Sequence, residues 1–210
     1  MGKSVVIIGK GPSVLKSSQS FVDSFDEVAI CNFPPMEGYE QYIGTRAHYH
    51  FINAGDPFPY QQETINNLGL KAIFNTQAWG TDIKKVPPSK ILPNHEVAYY
   101  WDYGFKVREK YENSYGFWPS TGIMALDYFL NNEDYHRIDL IGFDFFKAGE
   151  SVYYFPKHET NPSLHHLWNN KTYSTDGRVL GGNAHGGEKA HTAVMSLISQ
   201  SDQDIRLKLE

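Results

Sequence analysis

"SVVIIGKGPSVLKSS", residues 4–18, decides the fold. Val5, Val6, Ile7 and Ile8 form an unbroken β-branched run, the mark of a strand buried on both faces of a parallel sheet. The turn Gly9-Lys10-Gly11-Pro12-Ser13 follows, and then a Val14-Leu15 step. A strand that runs through Gly-x-Gly into a helix start is either a tight connection or a cradle of backbone N–H groups for a phosphate.

The rest of the chain repeats this alternation. The spacing predicts a first strand over 4–9, a polar helix over 13–21 and a second short strand over Val28–Cys31. "AHYHFIN" (47–53) and "KAIFN" (71–75) read as third and fourth strands, separated by a helix over 59–68. A helix near 96–112 lies among long irregular stretches. Ile123, Leu126, Phe129 and Leu130 keep helical spacing in "STGIMALDYFLNN", and "RIDLIGFDFF" (137–146) is another buried strand. A last helix covers 186–199, and the residues after Ser201 read as a frayed polar tail. Strands alternating with helices predict one α/β domain over 1–210, a Rossmann-like sandwich with a mostly parallel sheet. Irregular loops over 76–118 and 147–184 border the ligand side. Asn32, Asn53 and Asn75 close three of the strands, where such sheets bind ligands and where turns also favour asparagine.

Composition narrows the function classes. A hydrophobic content of 40% and a charged content of 20% describe a globular chain, and a net charge of -5 gives no global pull towards nucleic acid or acidic membranes. The 14 tyrosines suit sugar or peptide sites as well as aromatic packing. Cys31 is the single cysteine, so no intramolecular disulfide forms. Neither a signal peptide nor a run of the ~20 apolar residues of a membrane helix is visible, and the expected location is the cytoplasm.

The opening turn fails the common phosphate-loop tests. A dinucleotide fingerprint needs a third glycine, where Val14 stands, and an acid after the second strand, where Asn32 stands. A Walker loop is absent too, which disfavours NAD and ATP.

Three further segments change the reading. "EVAICNFPPMEGYEQYIGTRAHY" (27–49) resembles the large sialyl motif of the family 29 sialyltransferases, closest to the branch that makes α2,8 linkages. Cys31-Asn32-Phe33-Pro34-Pro35 and Tyr42-Ile43-Gly44-Thr45-Arg46 carry that likeness. "WPSTGIMALDYFLNNEDYHRIDLIGF" (118–143) resembles the small sialyl motif, with Pro119-Ser120-Thr121-Gly122 at one end and Gly142-Phe143 at the other. His185-Gly186-Gly187-Glu188 is similar to the very short His-x-x-Glu motif. The three occur in the family's order and span nearly the whole chain.

The resemblance implies a sialyltransferase variant of the GT-A architecture. It implies a metal-independent, inverting transfer of a sialic-acid-type sugar from a CMP-sugar to a glycan or glycolipid hydroxyl, without a cofactor. A CMP-Kdo donor and a non-catalytic nucleotide- or glycan-binding relative are the alternatives. His185 matches the family's general base, and neutral imidazole suits that role near pH 7. Glu188, one turn along, either orients the site or favours the helix N-terminus. His166, or its neighbour His165, is the nearest match to a second family histidine that contacts the donor phosphate. Donor binding falls to Gly9, Lys10, Gly11, Ser13, Asn32, Asn53, Ser120, Thr121, Gly122, Gly142 and Phe143. Ser120 also fits a plain helix cap, and Phe143 a sheet-core position. Lys10 stands where the family usually has asparagine; it either pairs with the phosphate or points to solvent. The family's disulfide cysteines are missing, in keeping with a reducing compartment. His48-x-His50 and the His185, Glu188, His191 group match no metalloenzyme spacing, so no metal is expected. Trp79, Trp101, Tyr103, Trp118 and Trp168 are candidate stacking platforms for the acceptor.

Overall fold

The computed structural model describes residues 2–32, 34–52, 62–76, 97–100, 102–145, 153–155 and 187–208. Strand β1 (Lys3–Ile8) leads through a short 3-10 turn (Pro12–Lys16) and α1 (Gln19–Asp23) into β2 (Glu27–Cys31). Then come α2 (Glu40–Ile43), β3 (Tyr49–Ile52), α3 (Gln62–Leu68), β4 (Ala72–Asn75) and β5 (Ala98–Tyr100). The second half holds α4 (Tyr103–Tyr115), α5 (Thr121–Leu130), β6 (Tyr135–Ile141), α6 (Glu188–Gln200) and β7 (Asp204–Lys208).

The seven strands form one sheet in the order β5-β4-β3-β2-β1-β6-β7, and every pairing is parallel. Chain order reverses at β1, which pairs with β2 through Val6↔Val28 and with β6 through Ile8↔Ile141. This is the topological switch point of a doubly wound sheet, and ligands of such sheets bind beyond its strand ends.

The apolar run of β1 is continuous because both faces are covered. Val5 and Ile7 pack with Ala29, Phe51 and Phe74 under α5 and α6. Val6 and Ile8 pack on the opposite face with Val14, Val22, Ile43 and Leu68. Phe51 and Phe74 stack at 4.5 Å between ring centroids, and Tyr100 stacks on the far side of Phe74 at 4.5 Å.

The opposite, N-terminal end of the sheet carries a charged plug. Glu27 is almost fully buried and accepts from Lys71 at 2.7 Å and from the Tyr135 hydroxyl, which also pairs with the Tyr49 hydroxyl at 3.0 Å. Burial pushes the Glu27 carboxyl up, but hydrogen bonds from Lys71, Tyr135 and Tyr49 outweigh it and hold the group at about 2.

Several elements differ from the sequence expectation. The helix over 13–21 is split at Ser17 and Ser18, because Ser18 caps α1 by accepting the Phe21 N–H at 3.3 Å. A strand, β5, occupies the start of the stretch read as a helix over 96–112. Residues 204–208 are not a frayed tail: they form β7 along β6, and Asp204 pairs with Arg206 at 2.6 Å. The charged alternation of Asp204-Ile205-Arg206-Leu207-Lys208 is that of an edge strand, which uses charge to discourage further pairing.

Candidate active site

A cleft of about 120 Å3 opens beyond the C-terminal ends of β1, β2 and β6. The loop after β1 gives it Gly9, Lys10 and Gly11, and β2 gives it Cys31 and Asn32. The start of α5 adds Ser120, Thr121, Gly122 and Ile123. The end of β6 adds Gly142, Phe143, Asp144 and Phe145, and Tyr153 and Ala190 complete the lining.

The loop after β1 is fastened to the end of β6 by its own N–H groups. Gly9 donates to the Ile141 carbonyl at 2.8 Å and Gly11 to the Gly142 carbonyl at 2.9 Å. Ser13 donates to the Asp144 carboxylate at 3.0 Å, and Val14 to the Gly11 carbonyl at 3.1 Å. Pro12 has no N–H. Most of the backbone donors expected to face a phosphate are therefore spent within the fold. Among the described residues the Lys10 N–H alone in Gly9–Ser13 stays open.

Glycine is required where these segments cross. Gly142 has φ +71°, and a Cβ there would stand 2.4 Å from the Val14 side chain. A Cβ on Gly11 would stand 1.8 Å from the Asp144 carboxylate. The Gly-x-Gly is thus a close-packing device as much as a ligand loop.

Asn32 adopts a left-handed backbone at φ 51°. That conformation ends β2 and turns the amide towards α5, where Nδ2 donates to Thr121 Oγ1 at 3.0 Å. Thr121 Oγ1 also lies 3.3 Å from Thr76 Oγ1, whose hydroxyl bonds the Ile52 carbonyl at 3.0 Å. Ser120 caps α5, its Oγ accepting the Ile123 N–H at 3.4 Å. The Thr121 and Gly122 N–H groups in the first turn of this ten-residue helix have no partner among the described residues. They line the cleft, and the helix dipole adds positive potential there.

Lys10 is the only cation among the described lining residues. Its ammonium lies 4.4 Å from the Tyr153 ring centroid and 5.9 Å from that of Phe155. Residues 153–155 are held against the loop, since the Tyr154 N–H donates to the Lys10 carbonyl at 2.8 Å and its hydroxyl to the Pro35 carbonyl at 2.7 Å. Burial lowers the Lys10 ammonium to about 8. Burial raises the Cys31 thiol to about 12 and lowers His50 to about 3, with the Lys10 charge pushing His50 further down. Cys31 and His50 are neutral at pH 7.

Of the residues read from the sequence, Gly9, Lys10, Gly11, Asn32, Ser120, Thr121, Gly122, Gly142 and Phe143 meet at this cleft. Ser13 does not line it, and its hydroxyl is buried beneath the loop. Glu188 is exposed at the start of α6, whose Ala190 faces the cleft. Asn53, His165, His166, His185, Trp79, Trp101 and Trp168 lie outside the described residues. Tyr103 packs beside the core and donates to the Met124 carbonyl at 3.1 Å. Trp118 has the Arg108 guanidinium over one ring face at 3.8 Å. Sequence reasoning missed Asp144, Thr76 and Tyr153. Asp144 gives a faint signal as an acid just after a buried strand, where binding residues gather. Among the described residues no group of three or more His, Cys, Asp and Glu could hold a metal ion. His48 serves the sheet, its Nδ1 accepting the Val28 N–H at 2.9 Å.

A parallel, doubly wound sheet with a cleft at its switch point places the chain in the class of open α/β folds whose ligands bind beyond the strand ends. No family model matches the chain. It is 26% identical over 192 residues to the CMP-N-acetylneuraminate-beta-galactosamide-alpha-2,3-sialyltransferase 1 of Gallus gallus, covering 85% of this chain and 50% of that protein. The chain thus spans about half the length of this curated relative. The sialyltransferase CstII of Campylobacter jejuni, solved with the substrate analogue CMP-3FNeuAc, superposes with a TM-score of 0.62 at 18% identity, over 99% of this chain and 82% of that one. A mammalian sialyltransferase superposes with a TM-score of 0.56 at 19% identity, over 98% of this chain and 68% of that one. The fold is that of the sialyltransferases.

Proposed function

We propose that this chain is an inverting, metal-independent glycosyltransferase that moves a sialic-acid-type sugar from a CMP-sugar to a glycan hydroxyl. One observation carries the reading. Three segments far apart in sequence, 9–11, 31–32 and 120–122, meet at the switch-point cleft together with Gly142 and Phe143. The similarity to a sialyltransferase along 85% of the chain supports it. That relative forms an α-2,3 bond by name, not the α2,8 bond towards which the Cys31–Pro35 likeness leans, and the proposal concerns the donor half of the reaction.

The donor carries a phosphate and a sugar carboxylate, and the bond between anomeric carbon and phosphate oxygen breaks to release CMP. The open N–H groups of Thr121 and Gly122 offer an anion site at the start of α5. Asn32, held by Thr121, presents its side chain at the end of β2, where a ribose or phosphate oxygen would find it. Phe143 and Gly142 offer a ring face and backbone to the base. His185 takes the acceptor proton as the sugar centre becomes oxocarbenium-like, and attack from the face opposite CMP inverts the centre. No metal is required, because a nucleoside monophosphate leaves readily once its charge is stabilised.

The test is a thermal-shift screen of nucleotides followed by turnover with CMP-sialic acid and CMP-Kdo. The reading expects CMP to stabilise the protein above AMP, UMP and NAD, and CMP-sialic acid to be consumed. Stabilisation by NAD alone would contradict it, and turnover of CMP-Kdo alone would reassign the donor.

A further inference from the structure

Most of the N–H donors that a phosphate loop ordinarily uses are already committed in this one. Gly9, Gly11, Ser13 and Val14 have committed their N–H groups to the Ile141 and Gly142 carbonyls, Asp144 and Gly11. The Asp144 carboxylate lies in the same lining and repels an anion placed beside the loop. Lys10, between the two glycines, is the one cationic side chain among the described lining residues.

On the donor reading above, we infer that Lys10 is the specificity-determining group for the donor phosphate, supplying through its ammonium the charge that the loop's backbone no longer offers. Its surroundings suit that task. The Tyr153 ring faces the ammonium at 4.4 Å and Phe155 lies behind it at 5.9 Å, so among the described residues the cation is held by π-faces rather than by a carboxylate. The Tyr154 N–H holds the Lys10 carbonyl, which fixes the backbone from which the side chain projects. The groups around it are Cys31 on β2, His50 on β3, Asp144 beyond β6 and Tyr153. Burial keeps the Cys31 thiol and the Tyr153 hydroxyl at about 12, and His50 at about 3, so none of these changes charge between pH 7 and 9. Asp144 stays close to the loop through the Ser13 N–H.

Burial holds the ammonium near its titration point, at about 8. A bound phosphate favours the charged form, so binding at pH 8 takes up a proton and affinity falls as pH rises through 8. The phosphate of free CMP is already a dianion there, its second pKa being about 6, while the phosphodiester of a CMP-sugar keeps one negative charge throughout.

Calorimetric titration with CMP and with cytidine, at pH 7 and pH 9, separates the phosphate from the nucleoside. The wild type should prefer CMP, and that preference should shrink several-fold at pH 9. Lys10→Met should lose roughly tenfold or more of the CMP preference, consistent with ~1.5–3 kcal/mol for a charge-assisted hydrogen bond, while cytidine binds as before. Lys10→Arg should keep the preference and lose its pH dependence. An unchanged CMP-to-cytidine ratio in Lys10→Met overturns this inference alone. Failure of the wild type to bind either ligand overturns the donor reading and this inference with it.

Discussion

At the residue scale, the site rests on side chains positioned by other side chains. Asn32 reaches the cleft because its left-handed backbone ends β2 and Thr121 accepts its amide. Thr121→Val removes that acceptor with little change in volume, so Asn32 loses its tie to α5. Steady-state kinetics should show KM for the CMP-sugar rising about tenfold, near 1.4 kcal/mol, with kcat nearly unchanged. A fall in kcat alone would instead place Thr121 in the chemical step. The Asn32, Ser120–Gly122 and Gly142-Phe143 positions were legible because each lies where an apolar run starts or stops, and the sialyltransferase likeness singled them out. Asp144 and Thr76 were not, since their importance arises from contacts across 131 and 45 residues of sequence, with Ser13 and Thr121. Of the N–H groups in Gly9–Ser13 that a phosphate cradle would use, those of Gly9, Gly11 and Ser13 go to Ile141, Gly142 and Asp144 at and just beyond the end of β6.

At the element scale, continuous apolar runs made β1, β2, β3, β4 and β6 readable, and helical spacing did the same for α5 and α6. The alternating, charged β7 resembled a tail because an edge strand buries little. The serine pair between the 3-10 turn and α1 was read through because a polar helix and two short turns have similar composition. The close approach of the β1 loop to the end of β6 gives a sharp prediction. Gly142→Ala places a Cβ at 2.4 Å from Val14 on a backbone with φ +71°, and should cost roughly 1–3 kcal/mol in urea unfolding. A loss under 0.5 kcal/mol would mean that the loop yields easily. The Glu27 plug makes a second prediction at this scale. Glu27→Gln should lower stability by about 2–4 kcal/mol at pH 7 by unpairing Lys71 and Tyr135. Because its folded pKa is depressed from 4.5 to about 2, this contribution is complete above pH 4.5 and fades as pH falls towards 2. The wild-type and variant unfolding curves should therefore converge in that window; a constant gap would show that charge is not the source.

At the scale of the whole molecule, the sheet places its switch point, its loop glycines and the start of α5 around one opening. Sequence alone predicted a Rossmann-like sheet. Its seven-strand order depended on β5 and β7, which leave weak traces, and no described helix is long and apolar enough to cross a membrane. If the cleft binds CMP, ligand at a hundredfold excess over Kd should add about 2.7 kcal/mol to stability, readable as a rise in Tm. Treatment with a chelator should leave both that rise and any turnover unchanged, and loss of turnover restored by a divalent cation would refute the metal-independent mechanism. The central claim, transfer from a CMP-sugar with His185 as base, is tested most directly by following CMP release from CMP-sialic acid. The wild type should release CMP steadily, and His185→Ala, which still binds CMP, should release almost none. Equal release by the two proteins, or none by a wild type that binds CMP, would contradict it.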